Sequence, residues 1–350
     1  RRGFPTDLQE QIVSVLSPSF SAIAKDRLIM PPPSTHGPGF ILTACQRKGG
    51  VGRSTLLFNL AGALSRPAGS SVGRRVLIVD LDPQASITQI CLGPEAVDTI
   101  PTLRSVVGLL SDDFLDAPES LIVPSGLAGI DLIPGSNGLS RYNFPDPEST
   151  GDLQEALRES LRPLRSQYDV ILCDTPPSLE TLAWLPAVAA DVAVTPTPAE
   201  PLAVQELTHA ARFLERARWA RNPRLSWLGV VLTLYQPRLA VHAAYAKALR
   251  ETHGALVLEP TMPFNVAFKE CMVARKPLAH WKPRTAAAKA MDAIAVEILR
   301  RVDLLRGQGQ AQGQGQTEPT PTPTGETSSD SQTSPSNPVS NLETLRETAA

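Results

Sequence analysis

The chain has 350 residues, of which 42% are hydrophobic and 5% aromatic, and a formal net charge of −2. Its best apolar stretch, residues 182–194, is interrupted by Pro186 and Asp191 and is shorter than the roughly 18 residues that a membrane span requires. Because Asp7 and Glu10 stand where the apolar part of a secretory signal would begin, and the four cysteines form no C-x-x-C pair, we expect a cytoplasmic protein rather than a transmembrane, secreted or disulfide-stapled one.

The first segment of the chain, residues 1–38, is predicted to be a helical stretch followed by a linker. The periodic part covers about residues 8–28 and is interrupted or kinked at Pro18. Three consecutive prolines at 31–33 end it. This segment is too short for a helix-turn-helix domain.

The long middle part of the chain alternates short apolar strands with longer periodic helices. The predicted strands cover residues 40–45, 75–80, 168–174, 192–195 and 227–234. The predicted helices cover residues 54–65, 152–161, 202–220, 239–251 and 284–305. A strand, a crossover helix and another strand in this rhythm are typical of an α/β fold in which helices cover both faces of a mostly parallel sheet. We place this domain at residues 39–306.

The C-terminal part of the chain differs in composition and charge. Residues 307–350 consist of Gly-Gln repeats followed by Thr-Pro and Ser-Thr stretches, which cannot bury enough apolar area to offset chain entropy, so we predict a disordered tail. Residues 201–306 carry 17 Lys and Arg against 8 Asp and Glu. This excess indicates a polyanionic partner, with scattered arginines on solvated helix faces as the alternative explanation.

The strongest chemical signal is the sequence C-Q-R-K-G-G-V-G-R-S-T at residues 45–55. It follows a strand and opens a helix, an arrangement in which glycines let backbone N–H groups surround phosphates while the serine hydroxyl reaches Mg²⁺. The ordinary P-loop pattern fails twice, because Arg47 occupies the first glycine position and Arg53 stands where the lysine belongs. The predicted nucleotide-binding residues of this loop are Lys48, Gly49, Gly50, Val51, Gly52, Arg53, Ser54 and Thr55.

Two further motifs place carboxylates at the ends of buried strands. They are V-L-I-V-D-L-D-P-Q at residues 76–84 and Y-D-V-I-L-C-D-T-P-P at residues 168–177. Carboxylates at the C-terminal ends of parallel strands lie beside the ligand crevice, where one can reach phosphate-bound Mg²⁺ and a second can position a water. A single Asp after a strand is more often a cap or turn residue, so the inference depends on all three motifs occurring together.

The order K-G-G-V-G-[KR]-[ST], D-L-D-P-Q and D-[AT]-P-P resembles the ParA/MinD family of deviant Walker A ATPases. The D-P-Q sequence and G-V-V-L-T-L-Y-Q-P-R at residues 229–238 are similar to the ParA (Soj-like) partition branch. The resemblance covers about residues 39–305. It implies a P-loop NTPase-like fold with ATP and Mg²⁺ as cofactors.

The resemblance also implies roles for the matching residues. Lys48 resembles the signature lysine that reaches across an ATP-sandwiched dimer to the partner's nucleotide, and Asp82 resembles the aspartate that positions the attacking water. Asp80 matches the neighbour that supports this aspartate. Ser54 matches the Mg²⁺ ligand and Asp174 the Walker B carboxylate, so these two and Asp80 form the implied metal site.

A later segment, M-P-F-N at residues 262–265, is similar to the family's I-P-R-N stretch near the adenine. Pro263 and Asn265 are therefore implied nucleotide-binding residues, whereas Phe264 replaces the family's arginine.

The family implies a cycle in which ATP drives formation of a homodimer, the dimer coats double-stranded DNA without sequence preference, and a ParB-like activator stimulates hydrolysis and releases it. We expect a nucleoid-associated protein with no membrane partner. The predicted DNA contacts are Arg212, Arg216, Arg218 and Arg238, the last of which resembles an arginine that the family uses on DNA. The alternative for Arg212 and Arg218 is that each pairs with Glu215 or lies in solvent.

Arg53 is the departure from the family that bears most on catalysis. A P-loop lysine is a compact ammonium group, whereas a guanidinium is larger, planar and restricted to fork geometry. We expect Arg53 to hold ATP but to stabilise the transferring phosphoryl group poorly, which slows hydrolysis by on the order of 10²-fold. Arg53 is counted with Lys48 and Asp82 as a catalytic residue.

Three other functions remain open. The chain could be a hydrolysis-deficient, nucleotide-dependent DNA-binding or scaffold protein. A MinD-like membrane-surface ATPase is disfavoured because no C-terminal basic amphipathic helix is predicted. For a metal-cluster carrier or reductase of the same superfamily, Cys91 is the only candidate ligand, because Cys45 and Cys173 end buried strands. The sequence does not identify the cargo, which could be a chromosome, a plasmid or another assembly.

Overall fold

The computed structural model describes residues 39–67 and 73–313. The predicted helix at residues 8–28 and the part of the predicted disordered tail beyond residue 313 lie outside the described residues. None of the helices in the described ranges is long and apolar enough to cross a membrane.

A seven-stranded sheet forms the centre of the fold, in the order β3-β4-β2-β5-β1-β6-β7. All neighbouring strands are parallel except β3 and β4, which are antiparallel. The strands are β1 (Phe40–Ala44), β2 (Val76–Asp80), β3 (Val123–Leu127), β4 (Ile130–Ile133), β5 (Val170–Asp174), β6 (Val192–Pro198) and β7 (Ser226–Thr233). The predicted α/β fold class is therefore confirmed.

Helices cover both faces of this sheet. Within the described residues they are α1 (Arg53–Ser65), α2 (Ser86–Leu92), α3 (Ala96–Thr99), α4 (Leu153–Leu161), α5 (Thr181–Ala189), α6 (Pro201–Ala220), α7 (Ala240–His253), α8 (Val266–Val273), α9 (Leu278–Trp281) and α10 (Ala286–Gly313). Ile41 of β1 belongs to the apolar core beneath α4 to α7, and its neighbour Leu42 to the core beneath α1, α8, α9 and α10. This alternation follows from the two-residue period of a strand.

The strand predictions differ from the structure mainly at the edges of the sheet. The β3–β4 pair was not predicted, and β3 contains Pro124 and Gly126, which interrupt an apolar strand pattern. β6 runs to Pro198 rather than ending at residue 195. β1 ends at Ala44, so the last residues of β6 pair only with β7, and prolines without an N–H are tolerated there.

The helix predictions also differ from the structure, because α2, α3, α5, α8 and α9 were not predicted. α5 was not predicted because every one of its nine residues is buried, which removes the 3.6-residue pattern, and it contains Pro186. α10 continues to Gly313 and so extends past residue 306, where the predicted tail begins.

Candidate functional site

The predicted site residues gather at the C-terminal edge of the parallel strands. β1 leads into the phosphate loop and α1, while β2 and β5 end in Asp80 and Asp174, which are neighbours in the sheet register. The segment after β7 also lies here, because Tyr235 N donates to the Met262 carbonyl (3.0 Å) and Phe264 N donates to the Tyr235 carbonyl (3.0 Å). This is the edge at which open α/β sheets bind ligands.

The phosphate loop depends on two glycines in the left-handed region. Gly50 has φ of 72°, and Gly52, which directly precedes α1, has φ of 84°. A Cβ at Gly50 would meet no atom within 4 Å, so the loop surface is open at this point. The Thr233 hydroxyl fixes the loop to the end of β7 by donating to the Val51 carbonyl (2.7 Å). The result is a held loop with its open side free for a ligand.

Arg53 is the first residue of α1 and is only 7% exposed. Its Nη1 donates to the Gln46 carbonyl at the start of the loop (2.9 Å). Its Nε lies 3.7 Å from Asp174 Oδ1 and is buried without a hydrogen-bond partner. The guanidinium therefore lies between the loop backbone and the carboxylate at the end of β5.

Asp174 and Asp80 are both fully buried but differ in their bonding. Asp174 Oδ1 accepts from Thr175 N (3.1 Å), and Oδ2 has no hydrogen-bond partner. Asp80 Oδ2 accepts from both the backbone N–H (2.9 Å) and the hydroxyl (2.7 Å) of Thr88 in α2. Asp174 thus retains capacity for a ligand, whereas Asp80 is committed to α2.

The surroundings of these two carboxyl groups also change the pKa of each. Burial raises the pKa of Asp174, although the Arg53 guanidinium and the neighbouring Ser54 hydroxyl act in the opposite direction. Burial likewise raises the pKa of Asp80, and the neighbouring Asp174 charge raises it further. A cation placed at this edge would relieve both effects, because it would favour the charged forms.

Asp82 lies on the turn that joins β2 to α2. Its Oδ1 accepts from Gln84 N (2.9 Å), and its carbonyl accepts from Ala85 N (2.7 Å). Ala85 has φ of 48°, which is rare for a residue with a side chain. The turn therefore fixes the position of the Asp82 carboxylate.

The two basic residues at the start of the loop are bound to glutamates that the sequence analysis did not identify. Lys48 Nζ lies 3.2 Å from Glu200 Oε2, just before α6. Arg47 donates from Nε (2.7 Å) and Nη2 (2.8 Å) to the two carboxylate oxygens of Glu206 in α6. Neither glutamate belongs to a recognisable motif, so no sequence signal could have identified them.

A cavity of about 430 Å³ adjoins the phosphate loop. Its lining includes three residues of the loop region, Gly50, Gly52 and Thr55, together with the implied residues Pro263 and Asn265. The structure therefore brings these two distant segments together. The sequence analysis missed other residues of the lining, among them Leu234, Phe268, Lys269 and Met272.

The four predicted DNA contacts belong to α6 and to the connection between β7 and α7. Arg212 and Arg216 are exposed on α6 and, with Arg47, line a groove of about 550 Å³. Arg216 also pairs with Glu148 (2.7 Å). Arg218 lies outside this groove and is half-buried, and burial lowers its pKa. Arg238 is exposed in the connection between β7 and α7.

Metal ligation by cysteines or histidines finds little support in the described ranges. They contain no group of three or more His, Cys, Asp and Glu side chains arranged to hold a metal ion. Cys45, Cys173 and Cys271 are buried and Cys91 is half-buried. Burial raises the pKa of Cys91 to about 12, which disfavours the thiolate that a metal needs.

Comparisons with known proteins identify the family of this chain. A family model described as an AAA domain matches residues 40–227, more than half of the chain. The chromosome partitioning protein ParA of Caulobacter vibrioides is 33% identical over 263 residues, covering 75% of this chain and 94% of the relative. The chromosome-partitioning ATPase Soj of Thermus thermophilus is 33% identical over 261 residues, covering 75% of this chain and 96% of the relative.

Solved structures of cobyrinic acid a,c-diamide synthase from Mycobacterium smegmatis have the same fold. The structure with bound ADP and magnesium is 26% identical with a TM-score of 0.61, and the match covers 81% of this chain and 100% of that chain. The structure with an ATP analogue and magnesium is 28% identical with a TM-score of 0.56, and the match covers 70% and 96%. The prediction of ATP and Mg²⁺ as cofactors is confirmed, because these similar structures contain adenine nucleotides and magnesium.

The motifs, the sheet order and the relatives all agree. The predicted resemblance is confirmed, and the chain belongs to the ParA/Soj family of chromosome-partitioning ATPases.

Proposed function

We propose that this protein is an ATPase that forms a homodimer on binding ATP and then binds double-stranded DNA without sequence preference. A ParB-like activator stimulates hydrolysis and so ends DNA binding. In this role the protein acts in chromosome or plasmid partition, or in positioning another large cargo, on the nucleoid in the cytoplasm. The observation that carries the proposal is the cavity that joins the loop glycines to Pro263 and Asn265.

The residues at the site fit a magnesium nucleotide. Left-handed Gly50 and Gly52 leave an open backbone cradle of the kind that surrounds phosphates. Asp174 Oδ2 is a buried carboxylate oxygen without a partner, next to Ser54 at the start of α1. We assign Ser54 and Asp174 to the metal, with Asp80 behind them as the carboxylate that fixes α2. Bound Mg²⁺ would supply charge neutralisation between the phosphates.

The protein side chains supply the remaining functions. Lys48 and Arg53 provide positive charge to the phosphates from the two ends of the loop. Asp82 is held by the turn into α2, so its carboxylate can orient a water molecule and accept a proton from it. Met262 and Phe268 give the rest of the cavity an apolar lining that suits a base.

DNA binding is assigned to the exposed arginines. Arg212 and Arg216 are one helical turn apart on α6, and Arg238 extends the positive charge to the connection after β7. Arg218 remains in the proposed set, with less surface to offer because it is half-buried. Arginines on a helix face contact phosphates without reading bases, which accounts for binding without sequence preference.

The first test is calorimetry of the full chain with ATP and Mg²⁺, followed by gel filtration with ATP, with ADP and without nucleotide. We expect one ATP bound per chain and a dimer only with ATP. Asp174→Ala should lose the magnesium dependence of binding. If ATP gives no heat of association, the proposal is wrong.

The second test concerns DNA. Arg212→Ala and Arg216→Ala should each weaken binding to duplexes of any sequence and reduce the slope of log affinity against log salt by about 1 per lost phosphate contact. Arg300→Ala is the matched control, because Arg300 is an exposed arginine on α10 that shares Glu297 with Arg301. Equal slopes in all three variants would contradict the assignment.

A hydrolysis-deficient scaffold is the second candidate function. It is favoured by Arg53, whose guanidinium is already bonded to the Gln46 carbonyl and lies beside Asp174. Phosphate release, with Asp82→Ala as the blank, separates the two. A rate equal to that of the blank in the presence of DNA would support the scaffold.

A further inference from the structure

Two consecutive basic residues of the phosphate loop are bound to the segment that begins α6. Arg47 makes two parallel hydrogen bonds to Glu206, at 2.7 and 2.8 Å. Lys48 makes a single contact to Glu200 at 3.2 Å. The loop therefore has one firm attachment to α6 and one looser one, because bidentate guanidinium–carboxylate pairs are stronger than single ammonium contacts.

The weaker of the two pairs, Lys48–Glu200, can break easily and free Lys48 for another partner. The side chains of Lys48 and Glu200 are 31% and 44% exposed, so water screens their attraction. Glu200 also stands directly before the first turn of α6, where the helix dipole stabilises a negative charge without help from lysine. Glu200 can thus release Lys48 and keep a favourable environment of its own.

The charge of Lys48 matters for a phosphate ligand. While Lys48 is paired with Glu200 its positive charge is compensated, and the Glu200 carboxylate adds repulsion toward an incoming anion. The Arg47–Glu206 pair keeps the start of the loop in place when Lys48 moves, because it does not involve the same atoms.

We propose that Glu200 is a positioning residue that holds Lys48 and competes for it with the phosphates of a nucleotide bound to the same chain. This inference rests on the proposed nucleotide-binding function. Glu200 does not contact the nucleotide in this scheme but acts through Lys48. Its presence lowers nucleotide affinity and keeps the ligand-free loop in one arrangement.

The test is the affinity of the full chain for ADP with Mg²⁺, measured by calorimetry. Glu200→Gln should bind ADP about 5-fold more tightly than the wild type, which corresponds to about 1 kcal/mol. Glu200→Asp keeps the charge and should return the affinity to within about 2-fold of wild type. Equal affinities for the wild type and Glu200→Gln would overturn the proposal.

A matched control is available on α7. Glu251 pairs with Lys247 at 3.6 Å, and the two side chains are 65% and 69% exposed. Glu251→Gln makes the same change in net charge and removes a pair of the same type, so ADP affinity should stay within about 2-fold of wild type. Tightening equal to that of Glu200→Gln would show a general charge effect and overturn the proposal.

A double-mutant cycle tests whether Glu200 acts through Lys48. In a Lys48→Ala background, Glu200→Gln should leave ADP affinity unchanged, because there is no lysine to release. An undiminished 5-fold effect in that background would overturn the proposal. Absence of any nucleotide binding by the wild-type chain would overturn the proposed function as well, whereas normal binding that Glu200→Gln does not change would overturn this inference alone.

Discussion

Two arginine–aspartate pairs lie at opposite ends of the sheet and differ in how completely their carboxylates are bonded. At the N-terminal end, Arg165 Nη2 donates to both oxygens of Asp191 (2.9 and 2.8 Å), and Asp191 Oδ2 also accepts from Ile41 N (2.8 Å). At the C-terminal end, Arg53 approaches Asp174 only to 3.7 Å and leaves Oδ2 without a partner. The better-bonded pair is the less buried of the two, with side chains 13% and 19% exposed.

This difference indicates that the Arg165–Asp191 pair is structural and that the Arg53–Asp174 pair belongs to a binding site. Burial of an incompletely bonded charge is unfavourable, so a fold tolerates it where a ligand completes the bonding. The Arg165–Asp191 pair joins the start of β1 to the start of β6, and both of its carboxylate oxygens are bonded, although Arg165 Nε is buried without a partner. The Arg53–Asp174 pair has unused capacity, and it lies under the glycine loop.

The N-terminal end also shows that a concentration of arginines does not by itself mark a ligand site. A cavity of about 350 Å³ at that end is lined by Arg158, Arg162, Arg165, Arg221 and Arg224. α4, α5 and α6 end there, so their carbonyl ends carry partial negative charge, and Arg158 donates to the Arg221 carbonyl (2.9 Å). These arginines neutralise helix ends and nearby acids.

The largest effect is expected on ATP turnover, when Arg53 at the C-terminal end of the strands is replaced by the lysine of the ordinary P-loop. Arg53→Lys should raise DNA-stimulated ATP turnover by up to about 10²-fold, because an ammonium can approach the phosphates that the guanidinium serves poorly. Phosphate release under saturating ATP measures it. Arg165→Lys is the control at the other end and should leave turnover unchanged. Equal rates for the wild type and Arg53→Lys would show that arginine at this position does not slow hydrolysis.

Breaking the two pairs should have unequal effects on stability. Asp191→Ala removes the carboxylate that pairs with Arg165, which then keeps the Gly39 carbonyl as its acceptor, and removes the acceptor of Ile41 N, so the free energy of unfolding should fall by about 3 kcal/mol. Asp174→Asn removes a buried charge and keeps an oxygen that can accept from Thr175 N, so stability should stay within about 1 kcal/mol of wild type or rise. Urea unfolding without nucleotide measures both. Equal losses would mean that the two pairs have the same structural role.

Local patterns were sufficient to predict the phosphate loop. An apolar strand, left-handed Gly50 and Gly52 and the start of α1 are all contained in one short run of sequence, and glycine is the residue that adopts such backbone angles without strain. Asp80 and Asp174 were predicted to be together for a similar reason, because each ends a buried apolar strand. Topology then determined that these strands are neighbours.

Features that depend on distant segments were not predictable. Lys48 and Glu200 are 152 residues apart, and Arg47 and Glu206 are 159 apart, so only the folded sheet order brings them together. α5 escaped prediction for the opposite reason, because burial on all sides removes the contrast between its faces. A single sequence carries no signal for either kind of feature.

A smaller effect is expected on the pH dependence of the free energy of unfolding, because of the buried carboxylates at the C-terminal end of the sheet. Burial raises the pKa values of Asp80 and Asp174, and the charge of Asp174 raises that of Asp80 further. The folded chain therefore still holds a proton at this pair at pH values where the unfolded chain, whose Asp side chains titrate near pH 4, has released it. The stabilisation from this proton is present below that pH and is lost as pH rises through the raised pKa. Asp80→Asn should therefore gain stability relative to wild type, on the order of 1 kcal/mol, between pH 5 and 7.5. If the free energies of unfolding of the wild type and of Asp80→Asn changed with pH in the same way across this range, the raised pKa of Asp80 would be contradicted.

The smallest effect is expected from the exposed arginines of the N-terminal end. Arg162 pairs with Glu159 at 3.0 Å, but the two side chains are 74% and 51% exposed, so water screens the pair and side-chain entropy offsets the remainder. Arg162→Ala should change the free energy of unfolding by less than about 0.5 kcal/mol and leave ADP affinity unaltered. Urea unfolding and calorimetry on the same preparation measure the two. A loss near that of Asp191→Ala would show that this edge depends on its arginines as a network, and a change in ADP affinity would show that the two ends of the sheet are coupled.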